Sequence, residues 1–310
     1  MAARTLVVGE ALVDVVRSPD GSVREHVGGS PLNVAIGLAR LGHPVELATW
    51  IGRDAHGAAI TEHLAADSVP LVTGSDDAAR TATAVATVNE SGSASYEFDI
   101  DWQLPYAVPR PPSHLHTGSI AAVLQPGASQ VRDIVFAARE VSTISFDPNA
   151  RPSLMGRPED ARQDIEQLVG LADVVKASDE DIAWLYGEDA PAETVLRLWA
   201  GLGPSLVVLT RGAEGASAYV NGEAEVQMLP GRSVQVADTV GAGDSFMSGL
   251  LSGLLDAGLL GGRSARERLR SARWDDLRPA VERAIQASAI TVSRAGAQPP
   301  TRAEITPTVR

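Results

Sequence analysis

Nine consecutive residues, Asp238-Thr239-Val240-Gly241-Ala242-Gly243-Asp244-Ser245-Phe246, carry the densest chemistry in the chain. They follow a strand-like run at Val234 and Val236 and open a helical run through Phe246, Leu250, Leu251 and Leu254. Glycines on either side of an alanine at a helix start let successive backbone N–H groups converge, and the helix end adds partial positive charge. Such a start binds anions and suits phosphate. Asp244 repels phosphate but is well suited to taking a proton. A cradle of Gly241, Ala242 and Gly243 beside a carboxylate base predicts phosphoryl transfer to a hydroxyl. The chemically silent alternative is a helix with a glycine-rich start and an acidic first turn.

Other residues point to the same kind of site. Gly28-Gly29-Ser30-Pro31 opens a second helix, with Ser30 as N-cap, Pro31 at the first helical position and Gly42 past the end. Asn33 in its first turn faces the space beside the glycines. Asp14 is a carboxylate inside an apolar strand, either a hydroxyl ligand or a residue of the exposed face. Four successive strands end in polar groups: His116-Thr117-Gly118, Asp147-Pro148-Asn149, Lys176-Ala177-Ser178 and Thr210-Arg211-Gly212. Ligands of open α/β sheets bind off that edge. His56 reads as an exposed helix residue, and no His/Asp/Glu cluster has metal-ligand spacing.

The elements that must hold these groups follow from periodicity. Strands are expected at 4–16 and 45–51, with a helix from Asp54, its cap, to about residue 66. From residue 113 the pattern is β–α repeated, with strands near 114–117, 143–147, 172–176 and 206–210. Helices are expected near 127–140, 160–171, 179–187, 191–202 and 277–293. This predicts an α/β fold, a doubly wound, mostly parallel sheet with helices on both faces. Residues 81–100 alternate instead, as a hairpin turning at Glu90-Ser91-Gly92. Paired with 11–27, they predict a small β-sheet lid, inserted at about 11–27 and 81–102 in a single domain spanning 1–310. Residues 215–229 read as another hairpin. The arginine-rich 261–275 reads as a solvated insertion or helix face, and 299–310 as a strap or a poorly ordered end.

Composition narrows the function classes. The 310 residues include no cysteine, which excludes disulfides and thiolate metal sites. The net charge of −13, with no compensating basic face, argues against a nucleic-acid partner. No run of about 18 apolar residues exists, so no membrane span is expected. The chain runs directly into Leu6-Val7-Val8 without an export-signal core, so a cytoplasmic location is expected. Of the 26 lysines and arginines only Lys176 is a lysine, and its setting is not that of a Walker loop.

Gly28-Gly29-Ser30-Pro31-Leu32-Asn33-Val34-Ala35 and the 238–246 stretch resemble the two signatures of the ribokinase-like (PfkB) carbohydrate kinases. Gly52-Arg53-Asp54, Asp147-Pro148-Asn149-Ala150-Arg151 and Thr210-Arg211-Gly212 add intermediate matches, so the likeness covers nearly the whole chain. It implies Asp244 as general base, with Gly241, Ala242 and Gly243 as the anion hole. It implies Asp14, Gly28, Gly29, Asn33, Asn149 and Arg151 on the sugar, and Lys176, Ser178, Thr210, Gly212, Gly215 and Gly243 on ATP. Mg²⁺ would accompany ATP, with Asp181 coupled through water. A monovalent cation such as K⁺ would sit by Asp238, Thr239, Arg294 and Gly296. A homodimer is compatible with the family.

Two departures bear on substrate. The family's usual Asn-x-x-Glu reads Ser178-Asp179-Glu180-Asp181, which leaves Asp181 or Glu180 to replace the glutamate. The lid lacks the Tyr-Arg of ketohexonate-type relatives and reads Tyr96-Glu97-Phe98-Asp99-Ile100-Asp101-Trp102. Acidic residues without an arginine there disfavour an anionic substrate, against which Arg151 is the counter-signal. The motif wording is most similar to bacterial fructokinases, so a neutral sugar, fructose first, is expected. Tyr96, Phe98 and Trp102 could stack on a sugar face or form lid core. Alternatives are a 2-keto-3-deoxygluconate kinase, a ribokinase, a nucleoside kinase and a catalytically silent sugar-binding protein. A dinucleotide-dependent oxidoreductase lacks the third glycine and has the motif too late in the chain.

Overall fold

A computed structural model describes residues 4–88, 94–104 and 111–305. In chain order the strands are β1 (Thr5–Val8), β2 (Leu12–Arg17), β3 (Val23–Gly28), β4 (Val45–Ala48), β5 (Thr83–Val88), β6 (Ala94–Asp99), β7 (His114–Gly118), β8 (Thr143–Asp147), β9 (Val174–Ser178), β10 (Leu206–Thr210), β11 (Ala216–Val220) and β12 (Gln227–Leu229). The helices are α1 (Ser30–Arg40), α2 (Ala55–Ala66), α3 (Gly127–Ala138), α4 (Pro152–Met155), α5 (Pro158–Leu171), α6 (Asp179–Tyr186), α7 (Ala192–Leu202), α8 (Ala242–Asp256), α9 (Arg263–Ser271), α10 (Trp274–Val292) and α11 (Arg302–Ile305).

The large sheet has eight strands in the order β12-β11-β10-β9-β8-β7-β1-β4. It is parallel from β4 to β10, and β11 and β12 add an antiparallel edge. Strands β1, β9 and β10 are rich in Val and Leu because both faces are covered, whereas β7 and β8 bury His114, His116, Thr143 and Ser145 between them. Alternate residues serve opposite cores. Val7, Leu47 and Val208 pack with α1, α8 and α10, while Leu6, Val8, Phe146 and Leu209 pack with α3, α5 and α7. The β1 register, Val8 opposite both Ala48 and Thr117, levels the C-terminal ends of three neighbouring strands.

The second sheet has four strands in the order β3-β2-β5-β6, and its pairing of β2 with β5 is the one expected for a lid. β3 runs directly into α1 through Gly28 and Gly29. Its residues Val23–His26 are exposed. The turn at Glu90-Ser91-Gly92 and the Tyr96 side chain lie outside the described residues.

Several expectations need correction. Val234 and Val236 belong to no strand and are exposed, because no partner strand lies beside them. The 261–275 segment is not simply solvated: α9 buries Ala265, Arg266 and Leu269. Arg266 forms an ion pair with Asp173 and reaches the Arg139 and Ser142 carbonyls, so a charged side chain ties α9 to the sheet. Trp102 is 2% exposed, packs against Gly127 and donates to the Ala121 carbonyl, so it is core and not a sugar platform. The end of the chain straps back: Arg302 donates to the Leu41 carbonyl and pairs with Asp256. Residues 306–310 lie outside the described residues.

Candidate active site

Gly241 is the N-cap of α8, in the left-handed region at φ 73°. A side chain there would be strained and would also meet Ala297, so glycine is required twice over. Asp244 follows in the first helical turn, only 8% exposed. Its two oxygens are held separately. The Ser30 hydroxyl donates to Oδ1 at 2.6 Å and the Asn33 amide donates to Oδ2 at 2.8 Å. Both partners come from the first turn of α1, which packs across α8. Ser30 was expected as the N-cap. Gly29 takes that position instead, at φ 116°, because a Cβ there would strike the Glu10 carbonyl at 2.5 Å. The Ser30 hydroxyl is thereby freed for Asp244.

Lys176, in the middle of β9, lies under the cradle. Its Nζ is 3.1 Å from where a Gly243 Cβ would sit and 2.9 Å from Asp147 Oδ2. Both partners are buried. Burial opposes the Lys176 ammonium, but the carboxylates of Asp147, Asp181 and Asp244 outweigh it and hold its pKa above the ordinary value. Burial pushes Asp147 up to about 6, against the pull of Lys176. Asp181 forms a capping box with Ser178, and its Oδ1 also accepts from the Ala150 N–H at 2.6 Å. Asp181 thus fastens the 147–151 loop to α6. Glu180 is exposed in the same turn.

On the lid side, Asp14 leans over the glycine pair, its Oδ2 at 2.6 Å from a Gly28 Cβ position. Asp14 itself is exposed on β2, as its exposed-face reading anticipated, and partial desolvation there raises its pKa, opposed by His26 and Arg151. Asn149 sits at φ 36°, a strained backbone of the kind that functional sites retain. Arg151 donates to Asn149 Oδ1 at 2.9 Å, keeping its guanidinium on the rim. Asp99, one of the lid's acidic residues, is paired with Arg80. That neutralises part of the expected lid charge, from a residue just outside the lid strands.

On the far side, Thr210 donates to the Ala177 carbonyl, and Gly212 begins a turn with open space over it. Gly215 has a packing reason, since a Cβ there would strike the Leu229 carbonyl at 2.1 Å. Asp238 bridges two loops. It accepts from the Val240 N–H at 3.1 Å and from the Gly296 N–H at 2.8 Å, and these bonds lower its pKa. Arg294 is turned away into a pair with Glu304.

Asp244, the cradle, Asn33 and Lys176 are thus brought together by direct contacts, and Asp14 meets the glycine pair. Ser30 and Glu10 are the residues that sequence reasoning passed over. Glu10 is 4% exposed with its pKa raised to about 7, first by burial, with Ser119 and Arg151 opposing and Asp244 adding to the rise. Its signal was present: a carboxylate in an apolar stretch directly after β1, like Asp14 a few residues on.

Among the described residues no group of three acidic or histidine side chains could hold a metal. The carboxylates present fit a divalent ion carried in by phosphates and touching protein through water.

A family model described as pfkB family carbohydrate kinase matches residues 2–304. The fructokinase of Klebsiella pneumoniae is 34% identical over 275 residues, 84% of this chain and 87% of that protein. The fructokinase of Escherichia coli is 31% identical over 308 residues, 96% of this chain and 95% of that one. A double mutant of the fructokinase from Vibrio cholerae O395, solved in fructose, ADP and potassium ion bound form, superposes with a TM-score of 0.75 at 28% identity, covering 95% of this chain and 94% of that chain.

Proposed function

The chain belongs to the pfkB family of carbohydrate kinases, and on that premise we propose that it is a fructokinase, transferring the γ-phosphate of ATP to a hydroxyl of D-fructose. The observation that carries the assignment is the Asp244 carboxylate, fixed by Ser30 and Asn33 one residue past a glycine anion cradle. Asp244 takes the proton of the attacking hydroxyl. The N–H groups of Gly241, Ala242 and Gly243 face the charge that develops on the transferring group. Asp14, Gly28, Gly29, Asn33, Asn149 and Arg151 hold sugar hydroxyls. Lys176, Ser178, Thr210, Gly212 and Gly215 serve the nucleotide side. A divalent metal, Mg²⁺ in this reading, shields the ATP phosphates when bound, with Asp181 or Glu180 reaching it through water. Asp238 and the carbonyls of Thr239, Arg294 and Gly296 would hold a monovalent cation such as K⁺. The enzyme works in the cytoplasm, and a homodimer belongs to the same reading.

The test is a panel of fructose, ribose, 2-keto-3-deoxygluconate and adenosine with ATP and Mg²⁺, followed by ADP release. Fructose should give the highest kcat/KM. Asp244→Asn should lower kcat on fructose by roughly 10²–10⁴, the usual contribution of a positioned base. An Asp244→Asn enzyme with wild-type turnover would remove that residue from the mechanism.

A further inference from the structure

Glu10 plays no part in the transfer set out above, yet the fold holds it at a position that is unfavourable for a carboxylate. It is 4% exposed, and Oε2 has no hydrogen-bond partner among the described residues. A buried acceptor left without a donor destabilises the protein, and a carboxylate does so most. Such groups persist where function needs them.

Its surroundings are those of the sugar crevice. Ser119 lies near enough to the carboxyl to favour its ionised form, and the charges of Arg151 and Asp244 act on it. Ser119 itself is held in the left-handed region at φ 57°. The Glu10 carbonyl lies against Gly29, and the neighbouring Gly9 lies against Pro31 in the first turn of α1. Glu10 is therefore wedged between the glycine pair and the Ser119 turn, with Arg151 on the rim near it. The Thr117 hydroxyl, at the end of the neighbouring strand β7, is a second buried polar atom without a partner among the described residues.

We infer that Glu10 is a specificity-determining residue, whose Oε2 accepts a hydrogen bond from a hydroxyl of the bound sugar. The inference rests on the reading of this crevice as the fructose site. In its ionised form the Glu10 carboxyl only accepts, so it demands a donor, and a hydroxyl that donates to it favours that form. A sugar hydroxyl supplies one. A deoxy sugar leaves the oxygen buried and unpaired and is rejected, as sites built around a substrate hydroxyl generally do. Asp14 and Asp244 also place negative charge beside the sugar, which favours a neutral ligand over an acidic one.

The experiment measures kcat and KM of wild type, Glu10→Gln and Glu10→Ala with D-fructose and with its singly deoxygenated analogues. In wild type one analogue should lose roughly 10- to 100-fold in kcat/KM, the worth of a hydrogen bond to a charged group. Glu10→Gln, which keeps a neutral acceptor, should raise KM for fructose about 10-fold with a smaller effect on kcat, and Glu10→Ala should bring fructose and that analogue within about 2-fold of each other. Wild type that discriminates against none of the analogues overturns the assignment without any variant having to fold. So does a variant whose loss is equal for fructose and every analogue, which marks a purely structural residue. Wild type inactive on fructose overturns the functional reading and this assignment with it, whereas active wild type with an unchanged Glu10→Gln KM overturns the assignment alone.

Discussion

Lys176 is a lysine in a chain that otherwise uses arginine for positive charge. The buried space below Gly243 explains the choice. A compact ammonium fits between Asp147 and the cradle, whereas a planar guanidinium is wider and needs more acceptors. Lys176→Met should lower kcat by about 10²–10³, the range seen when one stabilising charge or donor is lost. Lys176→Arg should recover little of it. Because the chain has a single lysine, [ε-¹³C]lysine labelling gives one resonance. That resonance should keep its ammonium position beyond the ordinary 10.5, since the carboxylates outweigh burial and raise the pKa. It should also move when a non-hydrolysable ATP analogue binds. A signal indifferent to nucleotide would place Lys176 outside the phosphate site. Glu10 supplies the opposite case. Its folded pKa of about 7 exceeds the unfolded 4.5, so the stability it contributes is complete below 4.5 and is lost as pH rises through 7. The full shift amounts to roughly 3 kcal/mol once ionised. The melting temperature of Glu10→Gln relative to wild type should therefore climb between pH 5 and 8.5. A constant difference would contradict the burial argument.

Elements differ in how much of them could be read from the chain. Strands β1 and β10 were legible because burial on both faces demands apolar runs, and the small sheet because one exposed face leaves alternation. Val234 and Val236 alternate in the same way, yet form no strand, since pairing depends on a neighbour that the local pattern cannot supply. Arg266 is opaque for a similar reason: its partner Asp173 is 93 residues away. The site was legible where glycines mark close approaches, and illegible at Ser30, whose local pattern fits a cap equally well. The histidines of β7 show what an element can hide. His114 bonds Thr143 and Ser145, and His116 bonds Ser145, all inside the sheet. Burial pushes both down to about 3 from 6.5. Their stabilising contribution is present above 6.5 and is lost as pH falls towards 3, by ~1.4 kcal/mol per pH unit for each histidine. Glu10 and Asp147, both raised, work the other way over much of that window. The net acid limb mixes these terms, so the variant difference is what isolates β7. His116→Gln should flatten the loss of stability between pH 6.5 and 4 by about that slope. Equal acid limbs in urea titrations of the two proteins would show that His116 protonates freely in the folded state.

At the scale of the whole molecule, the first turn of α8 stands between two unequal halves. On one side β10, β11 and β12 form an antiparallel-edged platform with open space above Gly212. On the other, the small sheet carries Asp14 and Gly28 over the rim and continues into the helix that holds Asp244 in place. Any movement of β3 is therefore coupled to the base, because β3, the glycine pair and α1 are consecutive in the chain. Val13 and Val15 of β2 are buried in the core, but β3 is largely exposed, its Glu25 meeting His56 of α2 at 3.4 Å. Segments with so little burial open at low free energy and respond to ligands. Sugar held by Asp14 and by the glycine pair should close the small sheet, excluding water from the transferring phosphate. Hydrogen exchange gives the measure. With fructose at 100 times its Kd, linkage allows amides of β2, β3 and β5 to slow by up to about 100-fold. Those of β1 and β7, already in the core, should change little. With the nucleotide on the β10–β12 half, as proposed, ATP alone should leave the small sheet as it was. Lid amides that slow with ATP but not with fructose would reverse the assignment of the two halves, and lid amides that answer to neither would leave the sheet as a static wall of the site.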